Sequence, residues 1–191
     1  SSSTWFNDLE AKLAVAIIEH LLTRHGESLS AASIGVITPY NGQVRHIRKL
    51  LADELGGTAA AVEVNSVDGF QGREKEFILF SCVRTRGLGF VRDRRRTNVS
   101  MTRALHSLLI LGHADALRED ALWAAVLDDA SARRCLLKAH SPVRIWFNSA
   151  VEEKALPPEA APAAEKAAAG KAAKPAAAKA AAKPAAAAAK P

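Results

Sequence analysis

The chain has 191 residues and a net charge of +6, which suits one ordinary domain with extra segments. Its 49% hydrophobic content overstates the core, because the 37 residues from Ala155 to Pro191 include 21 alanines and six prolines that add apolar count without packing volume. The foldable part is therefore residues 1–151, and residues 152–191 form a Lys/Ala/Pro-rich tail expected to be disordered, since nothing in it offsets the entropy of ordering.

No run approaches the roughly 18 uncharged apolar residues of a membrane-spanning helix. Residues 1–8 also lack the basic-then-apolar order of a secretion signal, so a membrane or secretory reading is excluded. The two cysteines, Cys82 and Cys135, are too far apart for a zinc knuckle or redox pair, and reduced thiols inside a cell are expected. The single methionine, Met101, leads us to expect a fragment or processed piece of a longer product.

In chain order, Leu9, Leu13, Ala16, Ile17 and Leu21 recur at helical spacing and predict an amphipathic helix over 7–25, started by Asp8. The apolar run Ile34 to Thr38 predicts a strand buried on both faces. A second helix is predicted over Asn41 to Leu55, with Val44, Ile47, Leu50 and Leu51 opposite Arg45, Arg48 and Lys49. Strands at Val62 to Asn65, Phe77 to Val83 and Ser107 to Leu111 follow, with a helix near Asp93 to Ala104 and a last one around Trp123 to Leu127. Helices alternating with apolar strands imply an α/β fold, a parallel sheet covered by helices.

Three clusters carry chemistry, and all are expected at the carboxyl ends of strands, where α/β sheets place their working residues. Thr38-Pro-Tyr-Asn-Gly-Gln43 offers a hydroxyl, a rigid ring and backbone amides. Asn65-Ser-Val-Asp-Gly-Phe-Gln-Gly-Arg-Glu-Lys75 packs polar groups of every class around two glycines that let the backbone approach a ligand. Arg94-Arg-Arg-Thr-Asn-Val-Ser-Met-Thr-Arg-Ala104 sets Arg96, Ser100 and Arg103 on one helix face while Val99, Met101 and Ala104 anchor it inward. Each cluster also has a plainer reading: a strand-to-helix turn, a glycine turn beside solvated charges, and a loose basic surface.

Taken in order, Asn-x-x-Glu-Ala11, the three clusters, Ser-Cys-Val-Arg84 and Gly-Phe90 resemble the second RecA-like domain of superfamily 1 helicases, in the group containing senataxin and the nonsense-decay helicase. The resemblance implies a RecA-like parallel sheet with helices on both faces. It implies a nucleotide-facing carboxylate at Glu74, an arginine finger on the γ-phosphate at Arg103, and a coupling loop at Gln71 and Gly72. Thr38, Pro39 and Ser66 fall on positions that touch the nucleic-acid backbone, and Arg96 and Asn98 on the start of the finger helix, with a positioning role. The sequence departs from the family pattern at Arg94, Thr97 and Leu105, where proline, leucine and a basic residue are usual.

The sequence contains no Gly-x-x-x-x-Gly-Lys-Ser/Thr loop, since its one Gly-Lys pair, Gly170-Lys171, is followed by alanine. The resemblance therefore implies an ATP-dependent RNA or DNA helicase whose ATP and Mg2+ are completed by an upstream RecA-like domain, in an intracellular and preferentially nuclear setting. On its own the chain is expected to be inactive. The competing expectation is a non-catalytic nucleic-acid or chromatin binder acting through its lysine tail.

Overall fold

A computed structural model describes residues 5–153, so the predicted disorder from Lys154 onward lies outside the described residues. Helix α1 (Asp8–His25) opens the fold. It starts at Asp8 as expected, and Asn7 caps it: the Asn7 backbone is extended, and its side-chain oxygen accepts from the Glu10 amide at 3.2 Å. Ala11, Ala14, Val15 and Ile18 are fully buried. Leu9, expected on the apolar stripe, is 52% exposed, and the neighbouring Glu10 is buried instead.

Strands β1 (Ile34–Thr38), β2 (Glu63–Ser66), β3 (Lys75–Ser81) and β4 (Ala104–Leu111) form one parallel sheet in the order β2-β1-β3-β4. Its central strand β1 is buried at every position, as expected of a strand covered on both faces. Helix α2 (Asn41–Leu55) and α1 cover one face through Val15, Ile18, Ile34, Val36, Ile47 and Leu79. On the other face Ile37, Phe70, Ile78 and Phe80 pack with Trp123 and Leu127 of α5 (Ala121–Ala132). Trp123 stacks on Phe80 at 6.2 Å, and its indole N–H donates to the Val91 carbonyl at 2.9 Å, so the buried ring leaves no orphan donor.

Helix α3 (Arg94–Met101) is capped by Asp93, whose carboxylate accepts from the Arg95 and Arg96 amides. It ends two residues short of Arg103, so the expected single face of Arg96, Ser100 and Arg103 breaks: Ser100 turns into the core while Arg103 lies in the turn before β4. Two helices were not legible in the sequence, α4 (Ala114–Leu117) and α6 (Val143–Glu153). Helix α6 packs beside α1, with the Phe147 ring edge-on to His20 at 5.6 Å and Arg144 paired to Glu19 at 3.1 Å and to Glu54. Helix therefore continues past the expected boundary at residue 151.

Candidate functional site

All four strands run the same way, so the sheet has one carboxyl edge and one amino edge. Along the seven residues of β3 these are about 20 Å apart at a rise of roughly 3.3 Å per residue. The candidate residues divide between them. Thr38, Pro39 and Ser66 end β1 and β2 at the carboxyl edge, beside the first turn of α3 that carries Arg96. Glu74 and Arg103 immediately precede β3 and β4, at the amino edge. The expectation that all three clusters sit at carboxyl ends is thus corrected: the second and third begin there and finish at the opposite edge.

The second cluster makes this crossing over one face of the sheet. Its anchor is Phe70, fully buried against β1 at Gly35, where an added Cβ would lie 2.6 Å from the ring; only glycine leaves room for this approach. Above the anchor, Asn65 and Ser66 lock the turn, since the Ser66 hydroxyl accepts from the Gly69 amide at 3.2 Å and the Asn65 amide group donates to the Gly69 carbonyl at 3.3 Å. Below it, Gln71, Gly72, Arg73 and Glu74 are exposed. Arg73 and Lys75 both pair with Glu63, which fixes the outgoing chain against β2.

At the amino edge the Lys75 amide donates to the Arg103 carbonyl at 3.1 Å, setting Glu74 and Arg103 just ahead of adjacent strands. The half-buried Arg103 guanidinium is braced by the end of α3 and the turn after it: Nε donates to the Val99 carbonyl at 3.1 Å and Nη2 to the Thr102 hydroxyl at 3.3 Å. Nη1 has no partner among the described residues and is available to an anion.

At the carboxyl edge Arg96 Nη2 lies 3.3 Å from Asp68, joining the start of α3 to the second cluster. Asn98 is exposed on α3, and its carbonyl accepts from both the amide and the hydroxyl of Thr102, beside Arg103. Pro39 is half-buried, but Thr38 is fully buried and its hydroxyl is the one buried side-chain polar atom without a partner among the described residues. Of the two, Pro39 is the one that solvent reaches at this end of β1. Among the described residues no group of three His, Cys, Asp or Glu side chains converges into a metal site.

A buried polar network lies behind the carboxyl edge, built from Asn7, Glu10, Gln43, Ser81 and Val83, and no sequence spacing announces it. Glu10 Oε2 accepts from the Ser81 hydroxyl at 2.7 Å and the Val83 amide at 2.9 Å. Gln43 donates to the same Ser81 hydroxyl at 3.0 Å and accepts from the Asn7 amide at 2.8 Å. The Asn7 side chain donates to the Val83 carbonyl at 3.1 Å. Val83 has φ of +71°, a left-handed conformation costly for a β-branched residue; capture of both its backbone polar groups holds it there and aims Arg84 out of the strand. Burial pushes the Glu10 carboxyl up to about 7, against the pull of the Ser81 and Val83 hydrogen bonds. A charged residue inside an otherwise apolar helix face was the available signal.

Residues 1–115 match the family model described as AAA domain. The chain belongs to that family, among the superfamily 1 helicases of the senataxin and nonsense-decay group. It is 39% identical over 139 residues to Helicase sen1 of Schizosaccharomyces pombe, an alignment covering 71% of this chain and 8% of that protein. It is 40% identical over 149 residues to the Regulator of nonsense transcripts 1 homolog of Neurospora crassa, covering 72% and 13%. With "Probable helicase senataxin" of Mus musculus it shares 35% over 181 residues, covering 88% and 7%. The chain thus spans a small part of the length of these relatives.

Proposed function

We propose that the chain is the C-terminal motor domain of an ATP-dependent RNA or DNA helicase, supplying an arginine finger and part of the single-strand surface. The observation that carries this reading is the division of the candidate residues between two edges joined by one continuous segment. Glu74 and Arg103 share the amino edge, the turn around Pro39, Ser66 and Arg96 stands at the carboxyl edge, and residues 65–75 connect them. A nucleotide at one edge and a strand at the other would pull on the same segment.

The donor set fits half of a triphosphate site. Arg103 offers guanidinium hydrogens braced at a fixed position, Glu74 an exposed carboxylate, and Gln71 and Gly72 the adjoining loop. When bound, ATP with Mg2+ supplies the phosphoryl group whose transfer releases the energy. The metal and the phosphate cradle belong to a partner RecA-like domain, because this sequence has no phosphate-binding Gly-Lys loop. Arg103 orients toward developing negative charge, and Glu74 helps order the water and nucleotide beside it. At the other edge Arg96 and the Asn65–Gly69 turn hold the strand backbone, with Asn98 tying α3 to the Arg103 turn.

The purified 191-residue chain should show no ATP turnover above that of its Arg103→Ala variant, because a finger without a phosphate loop cannot complete the site. Turnover that the substitution abolishes would show a complete site within this chain and overturn the division of labour. The names of several relatives support a helicase, and the intracellular, preferentially nuclear setting rests on the senataxin-like resemblance.

A further inference from the structure

The loop between β3 and α3 folds over the end of β1 and closes a cleft of about 360 Å³ lined by Trp5, Tyr40, Arg84, Phe90, Asp93 and Arg96. Three aromatic rings meet two cations there. The Arg84 guanidinium lies 4.7 Å from the centroid of the Trp5 ring, and that of Arg96 lies 4.9 Å from the Phe90 ring. Tyr40 and Phe90 meet edge to face at 5.5 Å, and the Phe90 amide approaches the Tyr40 hydroxyl at 3.4 Å. Tyr40 is buried, but Trp5 is 57% and Phe90 41% exposed.

Two large rings left in water beside two arginines and one carboxylate make an unusual wall. The rings offer π-faces, the guanidinium groups suit phosphates, and Asp93 keeps one oxygen for the cap of α3 and the other 4.0 Å from Arg96. The net charge of the lining is +1. A ligand matched to it is flat, aromatic and flanked by anionic groups. Tyr40 follows Pro39 directly, so the cleft continues the carboxyl edge proposed to hold the single strand.

We propose that this cleft is a nucleobase subsite, in which one base of a single strand stacks on Phe90 and Trp5 while Arg84 and Arg96 hold the neighbouring phosphates. The proposal rests on the single-strand reading of the carboxyl edge and adds to it a contact with the base rather than the backbone. Stacking is tolerant of sequence, so the subsite would grip any strand.

The test compares two strands that share phosphates and differ in bases. The full chain is titrated at low salt with a labelled oligodeoxyadenylate of about 12 nucleotides and with an abasic strand of equal length. Phe90→Ala should weaken binding of the adenylate strand by roughly tenfold and leave the abasic strand unchanged. Phe90→Trp, which keeps a ring, should restore the difference, and Arg84→Ala should weaken both strands and lower the salt slope by about one. Phe90 is exposed enough that loss of its ring leaves the core intact, which thermal unfolding of the variant checks. An equal effect of Phe90→Ala on both strands, or none on either, overturns the base subsite while leaving backbone binding in place. Failure of the unsubstituted chain to bind either strand overturns the single-strand reading as well.

Discussion

The amide of Lys75 donates to the carbonyl of Arg103 at 3.1 Å, and the Lys75–Ala104 register of β3 and β4 continues from it. This bond brings the end of the second cluster to the end of the third, so Glu74 and Arg103 share one edge of the sheet. Arg96 and Asp68 join the same two clusters at the opposite edge. Each cluster therefore touches the other twice, and a shift at one edge has a direct mechanical route to the other.

The buried Glu10 makes stability depend on pH. Its carboxyl is raised from 4.5 to about 7 in the folded chain, so the native state binds the proton more tightly than the unfolded state does. Stability from this group is fully present below about pH 4.5 and is lost as pH rises through about 7, by up to about 3 kcal/mol. Denaturant unfolding at pH 5 and pH 8 should show this loss, and Glu10→Gln, which cannot ionise, should reduce the difference between the two. An unchanged pH difference in Glu10→Gln would show that the network does not hold this proton.

Gly89 has φ of +52°, and a Cβ placed there would lie 2.3 Å from the Tyr40 hydroxyl. Gly89→Ala should therefore cost about 1–2 kcal/mol in backbone strain alone, with a clash added. In combination with Tyr40→Phe the clash component should vanish and the strain remain, giving a double-mutant coupling measurable by chemical unfolding. Strict additivity would mean that the loop moves away from Tyr40 without cost.

The seven lysines after Val151 lie among alanine and proline with no aromatic residue, so they can attract phosphates but cannot read sequence. Ending the chain after Glu153 should leave the unfolding transition in place, since among the described residues the buried core lies between Glu10 and Val143. It should weaken binding of any single strand by a similar factor, more so at low salt. Superimposable titrations of the full and shortened chains would reject a polyanion role for the tail.

The fold was legible where periodicity and chemistry agreed. The alternation of apolar strands with helices such as α2 gives the sheet, and Asn41 and Leu55 bound that helix as predicted. Local burial was less so: Leu9 and Glu10 exchange places because a hydrogen-bonded carboxylate under Val83 outweighs helical periodicity, and no spacing reveals a partner so distant in sequence. Helix α6 was missed because its inward partners, His20, Glu19 and Glu54, lie far back along the chain. The motifs named the candidate residues, but not that they divide between two edges, which depends on strand direction. The Phe90 cleft was hidden because its rings come from three separate segments.

The proposed role of Arg103, a finger acting on transition-state charge, is measured in a protein that joins this chain to a RecA-like domain carrying a phosphate loop. Turnover and nucleotide affinity are measured side by side for the unsubstituted enzyme and Arg103→Ala. Turnover should fall by roughly a thousandfold or more while nucleotide affinity changes little. Equal losses in affinity and turnover would instead make Arg103 a ground-state contact, and unchanged turnover would remove it from the site.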